Sequence, residues 1–222
     1  MKHYKRSGCL LLLLLVVPVF ALAQQYRHII DEHDFFHGFE AMDADSYVHV
    51  VVEIPAGSND KWEVSKETGH LEWEIRQDTF RVVPYLPYPA NYGMIPRTFL
   101  PQEEGGDNDP LDVFLLGPAH NRGDVVKGRL VGVIKTLDKG EQDDKLIAVD
   151  PESWFHAVHS LEDLQVQFAG ALEILVTWLQ NYKGEGIMEI QYAGDGAEAM
   201  KLLKKSMRSY NRIHGRSNGG SY

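Results

Sequence analysis

Cysteine is all but missing from this chain of 222 residues: the one present, Cys9, lies in an N-terminal segment set apart from the rest. Removal of that segment would leave nothing to form a disulfide, even in an oxidising compartment. Positive charge is scarce too, with 22 lysines and arginines against 32 aspartates and glutamates and a formal charge of −10. An acidic surface argues against nucleic acid as a partner, because phosphate backbones are held by basic patches. Any anionic substrate must then be met by metal ions and a few placed cations. The chain has no internal repeat, no low-complexity linker and no apolar run of membrane-spanning length. The longest candidate, 8–23, has 16 residues, short of the ~20 that a spanning helix needs.

That run has the parts of a secretory signal peptide. Lys2, Lys5 and Arg6 form a basic head, Leu10 to Phe20 an apolar centre broken by Pro18, and Ala21-Leu22-Ala23 a small-x-small cleavage pattern. Cleavage after Ala23 is expected to give an exported chain, periplasmic or secreted, that leaves the membrane; a retained anchor is the rival reading. Cys9 precedes the apolar run, the wrong place for a lipoprotein anchor. Loss of the leader removes three basic residues and no acidic ones, taking the formal charge to −13. Residues 24–46 read as an N-terminal extension, 47–213 as a single domain and 214–222 as a flexible tail. With 44% hydrophobic residues, one domain of this size can bury an ordinary core.

Tyr47–Ile54, Lys61–Val64, Leu71–Ile75, Arg81–Val83, Val113–Leu116, Val125–Leu137 and Leu146–Val149 have the β-branched density or alternation of strands. Leu86–Pro96 holds three prolines and Gly93 and is expected to be an irregular loop. Gly128 and Gly132 predict a sharp bend or bulge in the long strand, as small barrels require. Ser160-Leu161-Glu162-Asp163 fits a capping pattern, and apolar residues follow at helical spacing to Leu179. Asp195-Gly196-Ala197-Glu198 caps a second helix. Strands first and helices afterwards predict an α+β fold, a small β-barrel with two C-terminal helices packed outside.

The densest chemistry is in Gly105-Gly106-Asp107-Asn108-Asp109-Pro110-Leu111-Asp112, where three carboxylates fall within six residues just before an apolar run. A turn feeding a buried strand would hold hard oxygen ligands at a strand mouth, which suits Mg²⁺ with retained waters and substrate oxygens. The same residue types are common turn formers, so a solvated Asp-rich turn is the plainer alternative. An EF-hand is excluded by Pro110 at the fourth position and the lack of Gly at the sixth. Other charges stand at the ends of apolar strands: Glu53 in Val51-Val52-Glu53-Ile54-Pro55, Lys61 and Glu63 two apart on one face, and Arg81 before two valines. Asp138, Asp143 and Lys145 sit in a turn between two strands, and Tyr182-Lys183 ends a helix. Each could be plain surface charge, but the repeated placement at strand ends argues otherwise.

From Val51 to about Lys201 the chain resembles the soluble inorganic pyrophosphatases of the Mg²⁺-dependent, barrel-type class. Glu53-Ile54-Pro55, Lys61-x-Glu63, Tyr88-Pro89-Ala90-Asn91-Tyr92-Gly93, Asp107-Asn108-Asp109-Pro110-Leu111-Asp112, the acidic loop Asp138–Lys145 and Asn181-Tyr182-Lys183 follow that family's motifs in order. The resemblance implies a highly twisted, OB-like barrel and hydrolysis of pyrophosphate to two phosphates. It implies that Asp107, Asp112 and Asp143 hold an activating Mg²⁺, with Mn²⁺ a possible substitute. Asp112 would be shared with a second ion, and Asp138 and Asp143 would serve one arriving with substrate. Glu63 would orient waters, Glu53 would sit beside the nucleophile and Asp109 would act as general base. Lys61, Arg81, Tyr92, Lys145, Tyr182 and Lys183 would grip the phosphates.

The chain departs from the family pattern in places. Lys139 replaces an acid common beside Asp138. The stretch Gly69–Asn91 is longer than in bacterial relatives, so Arg76 competes with Arg81 for the phosphate-binding role. A leader peptide is atypical as well. The resemblance implies homodimers or hexamers. Two other readings stay open: a broader extracytoplasmic phosphoanhydride hydrolase acting on polyphosphate or nucleotides, and a non-catalytic divalent-metal or phosphate-binding protein. Retention of Lys61, Arg81, Lys145 and Lys183 argues against the last, since metal storage alone needs none of them.

Overall fold

Twelve strands and three helices carry residues 28–215, the part of the chain that the computed structural model describes. The expected leader peptide with its cleavage pattern, and the residues beyond Gly215, lie outside the described residues. In chain order the strands begin with β1 (Ile29–Ile30), β2 (Val48–Ile54), β3 (Trp62–Val64), β4 (Leu71–Trp73), β5 (Ile75–Arg76) and β6 (Thr79–Phe80). They continue with β7 (Asn91–Met94), β8 (Asp112–Leu116), β9 (Val125–Asp138), β10 (Glu141–Gln142) and β11 (Lys145–Val149). Helices α1 (Leu161–Gln167) and α2 (Ala171–Asn181), strand β12 (Met188–Asp195) and helix α3 (Gly196–Ile213) follow.

The central sheet closes on itself. Its neighbours run β2, β7, β8, β11, β9 and back to β2, antiparallel except for the parallel pair β8–β11. This is a five-stranded, OB-like barrel. β9 can serve two partners because it bends: Val125–Gly128 pairs with β2, while Arg129–Ile134 pairs with β11 across a register shift near Gly132. A Cβ at Gly128 would come within 3.0 Å of Ala148 Cβ, and one at Gly132 within 2.9 Å of Gly194 O. The two glycines therefore let β9 bend where neighbouring strands crowd it, as the sequence pattern implied.

Leu86–Pro96 is not the irregular loop its prolines suggested: Asn91–Met94 forms β7, with all four residues buried. The strand fits between prolines because neither lies inside it. Gly93 permits it, since a Cβ there would stand 1.8 Å from Val51 O on β2. Strand β12, which pairs with β9 and lies between helices, has no clear periodicity in Met188–Asp195 and was not anticipated from it. The first expected helix divides into α1 and α2, because Gly170 adopts φ 88° between them. Both caps form as the sequence suggested: Ser160 Oγ accepts from Asp163 N at 3.0 Å, and Asp195 Oδ1 accepts from Glu198 N at 2.9 Å. Residues ahead of β2 are packed, with Ile29–Ile30 pairing to β4 and Phe35 and Phe36 buried beside Tyr210 of α3.

Candidate active site

Strand ends converge on one mouth of the barrel. Asp112 opens β8 and Lys145 opens β11, and the parallel register sets them side by side. Asp138 closes β9, Tyr92 lies in β7 and Glu53 near the end of β2. The β2–β7 register skips a residue between Val52 and Ile54, so Glu53 is a bulge residue opposite Gly93. Bulges re-aim side chains, and Glu53 turns inward to accept from Val64 N at 2.7 Å. The segment carrying Arg81 is laid against Lys61 by a backbone hydrogen bond from Lys61 N to Arg81 O at 3.0 Å, and against Glu74 by one from Arg81 N to Glu74 O at 2.8 Å.

The mouth encloses a cavity of about 910 Å³, lined by Glu53, Lys61, Glu63, Arg81, Tyr92, Asp107, Asp109, Asp112, Asp138, Asp143, Lys145, Tyr182 and Lys183. Every residue singled out from the sequence is thus in one place, while Arg76 lines only a neighbouring cavity. Lys145 bonds both Asp112 and Asp143, Lys183 Nζ lies 2.6 Å from Asp138 Oδ2, and Lys61 Nζ lies 3.6 Å from Glu63 Oε2. Arg81 pairs with Glu74. Asp109 is at the rim, half-exposed, where Lys66 from the β3–β4 hairpin bonds its carboxylate and the Asn108 carbonyl.

Three of these neighbours, Tyr88, Lys66 and Glu74, were given no role from the sequence. Tyr88, buried in the wall, packs 5.2 Å from the Tyr92 ring and 4.3 Å from Trp178. The Trp178 ring in turn stacks on Tyr182 at 4.3 Å, fixing that helix end. Tyr88 opens the tyrosine loop and was visible there; Lys66 and Glu74 carry no local signal, because their partners are distant in sequence.

The electrostatics are those of crowded carboxylates. Burial pushes Glu53 up to about 8. Burial, with Asp112 and Asp143 close by, pushes Asp107 up to about 7. Burial opposes ionisation of Asp143 too, but Lys145 beside it holds its carboxyl below the usual range. Lys145 is buried as well, yet Asp112 and Asp143 keep its ammonium charged far above the usual lysine range. Burial lifts the Tyr92 phenol well above its ordinary value and Tyr182 to about 12, so both remain hydrogen-bond donors at neutral pH.

Among the described residues no three carboxylates or imidazoles already converge as a metal centre; lysines stand between the carboxylates. The donor set nonetheless fits a hard divalent ion. The grouped carboxylates offer only oxygen, and Asp138 Oδ1 is buried without a hydrogen-bond partner. Divalent charge would also relieve the like-charge crowding that lifts Asp107.

Comparison with known proteins agrees. A family model described as inorganic pyrophosphatase matches residues 50–211. An inorganic pyrophosphatase of Neisseria meningitidis serogroup B is 34% identical over 172 residues, covering 74% of this chain and 89% of that one. One from Drosophila melanogaster is 35% identical over 164 residues, covering 67% of this chain but 48% of its own, so the chain spans about half that relative's length. The crystal structure of an inorganic pyrophosphatase from Neisseria gonorrhoeae superposes with a TM-score of 0.66 at 30% identity, covering 78% of this chain and 96% of that one. The chain belongs to the inorganic pyrophosphatase family.

Proposed function

We propose that the chain hydrolyses inorganic pyrophosphate to two phosphates with Mg²⁺ as its activating ion, and that it works outside the cytoplasm. The observation that carries the reaction is the gathering of Lys61, Arg81, Lys145 and Lys183 with an all-oxygen carboxylate set in one cavity. A bound Mg²⁺ would supply the positive charge and Lewis acidity that attack on a multiply charged anion needs. Asp107, Asp112 and Asp143 would hold it, with Asp138 receiving a further ion and Glu63 orienting waters; Mn²⁺ shares the oxygen preference.

The chain's own groups do the rest. Lys61, Arg81, Lys145 and Lys183 face the phosphoryl oxygens and stabilise charge that builds on the leaving phosphate. Arg81 offers a planar fork and the lysines point charges, a combination suited to tetrahedral groups. The Tyr92 and Tyr182 hydroxyls donate to the same oxygens and orient the substrate. Asp109, at the rim, accepts a proton from the attacking water. Glu53 uses one oxygen to accept from Val64 N, which leaves the other free to keep a proton beside the nucleophile. Export is supported by the basic head, the short apolar run and Ala21-Leu22-Ala23.

Phosphate release from pyrophosphate, with and without Mg²⁺, tests the activity. Turnover that requires the ion is expected; binding of Mg²⁺ and phosphate without turnover would replace the enzyme by a binding protein. Mass spectrometry of chain recovered from outside the cytoplasm tests export. A mature N-terminus at Gln24 is expected, and a full-length chain held in the membrane would sink that part alone.

A further inference from the structure

Beside the catalytic cavity is a second one of about 700 Å³. The two meet at Arg81, Asp138, Lys139, Tyr182 and Lys183, which line both. Their charges differ. Carboxylates outnumber cations in the first, whereas the second has Arg76, Arg81, Lys139 and Lys183 against Asp138 alone. Glu74 neutralises Arg81 and Asp138 neutralises Lys183. Arg76 and Lys139 are left without an ion-pair partner among the described residues. In a chain with a formal charge of −10, two uncompensated cations beside the reaction centre concentrate anions there.

Both cations stand on tight hairpins. β5–β6 turns through Gln77 and Asp78, and β9–β10 through Lys139 and Gly140, all four with positive φ. Two-residue turns of this kind favour Asn, Asp or Gly at the first position, yet here Lys139 holds φ 52°. The turn itself has no use for a long side chain in that strained conformation, which directs attention to the ammonium. The β5–β6 hairpin brings Arg76 to the second cavity.

We propose that Arg76 and Lys139 form a subsite for the phosphoryl groups beyond the second in a linear inorganic polyphosphate, tripolyphosphate being the shortest. The proposal rests on the pyrophosphatase reading of the first cavity, which would hold the two terminal groups. In the step, water oxygen bonds to the terminal phosphorus and the bridging P–O bond breaks. Its electron pair leaves on the shortened chain, and the water protons pass to the products or solvent.

The test measures kcat and KM for pyrophosphate, tripolyphosphate and ATP at fixed free Mg²⁺. It uses the unaltered protein, Arg76→Gln, Lys139→Asn (asparagine tolerates the left-handed turn) and the double variant. The unaltered protein is expected to hydrolyse tripolyphosphate. Each single change should raise its KM about tenfold, as loss of one charge-assisted contact implies. The pyrophosphate KM should move by less than about threefold, the range of an exposed charge. Equal losses on both substrates, an unmoved tripolyphosphate KM in the double variant, or an unaltered protein that splits pyrophosphate but not tripolyphosphate would each overturn the subsite. Failure to hydrolyse either substrate would instead strike the pyrophosphatase reading, and the subsite with it. An ATP KM that rises in step with tripolyphosphate would overturn the restriction to inorganic chains.

Discussion

Lys145 and Lys183 carry the same charge at different depths, and this separates stability from catalysis. The Lys145 side chain is 2% exposed between Asp112 and Asp143, whereas that of Lys183 is 23% exposed beside Asp138. Removing one partner of a buried ion pair typically costs about 3–5 kcal/mol, because the other charges are left uncompensated. Lys145→Ala should therefore lose melting temperature and turnover together. Lys183 also lies just past the end of α2, where a cation is favoured by the helix dipole; if that were its whole purpose, Lys183→Ala would melt slightly early and keep full activity. The expected result is near-normal melting with a loss in kcat/KM of about 10²–10³, the scale for a preorganised stabilising group. Glu53 makes a second separation, by pH. Its ordinary value is 4.5 and burial raises it to about 8 in the folded chain, so folding favours the protonated form. Below about pH 4.5 both states are protonated and no penalty exists; between 4.5 and 8 the unfolded chain ionises while the buried carboxyl keeps its proton, so stability falls across that window and levels off above 8. Metal-free Glu53→Gln should thus melt like the parent at pH 4–5 and above it at pH 8–9, and a constant difference across that range would refute the shift. These side chains were legible in the sequence because charge at the end of an apolar strand stands out locally. Lys66, Glu74 and the wall position of Tyr88 were not, since their contacts are made across the barrel.

At the scale of elements, the motif-bearing strands were visible, whereas β7, β12 and the two-residue strands β1, β6 and β10 were not, and the expected strand Arg81–Val83 is reduced to a single bridge from Val82 to Asp60. β2, β8, β9 and β11 announce themselves by β-branched runs, and the caps Ser160 and Asp195 by their spacing to Asp163 and Glu198. β7 was hidden by prolines on both sides, although all four of its residues are buried. Propensity describes a chain in isolation, while β7 is a strand because β2 and β8 flank it. β12 is hidden for the same reason, pairing along the far edge of β9 with a register shift that breaks its alternation. The split between α1 and α2 turned on one glycine, which a helical apolar pattern running through 168–171 conceals. β7 also makes a test possible. A methyl group at Gly93 would stand 1.8 Å from Val51 O and 3.1 Å from Glu53 N, both backbone atoms that cannot swing away. Gly93→Ala should force β2 and β7 apart, at the upper end of or beyond the ~1–3 kcal/mol usual for overpacking. Because Glu53 bulges opposite Gly93, the residual folded fraction should lose activity as well. A urea midpoint close to that of the parent would mean that the barrel yields at this contact and that the bulge is not held by it.

For the whole molecule the dominant fact is excess negative charge, −10 for the full chain and −13 for the exported form we propose, which would lack Lys2, Lys5 and Arg6. Much of that excess is gathered at the barrel mouth, where Asp107, Asp112 and Asp143 are balanced mainly by Lys145. Such an arrangement folds against its own repulsion, and an ion that binds only the folded state relieves it. At a free concentration of a hundred times its Kd, one bound ion adds about 2.7 kcal/mol. For a domain of this size each kcal/mol raises Tm by about 2–4 °C, so saturating Mg²⁺ should raise Tm by about 5–10 °C over chelator-treated protein. The two carboxylates of the aspartate loop should divide in this assay. Asp112, beside Lys145 and Asp143, is proposed as the shared ligand, so Asp112→Asn should abolish most of the Mg²⁺-dependent gain along with turnover. Asp109 is at the rim, bonded to Lys66, and is proposed as the proton acceptor. Asp109→Asn should keep the Mg²⁺ gain in Tm while kcat falls about 10²–10⁴-fold, the usual worth of a general base. Equal loss of the thermal gain in both variants would make Asp109 one more ligand, and the attacking water would then need a different proton acceptor from among the groups lining the same mouth.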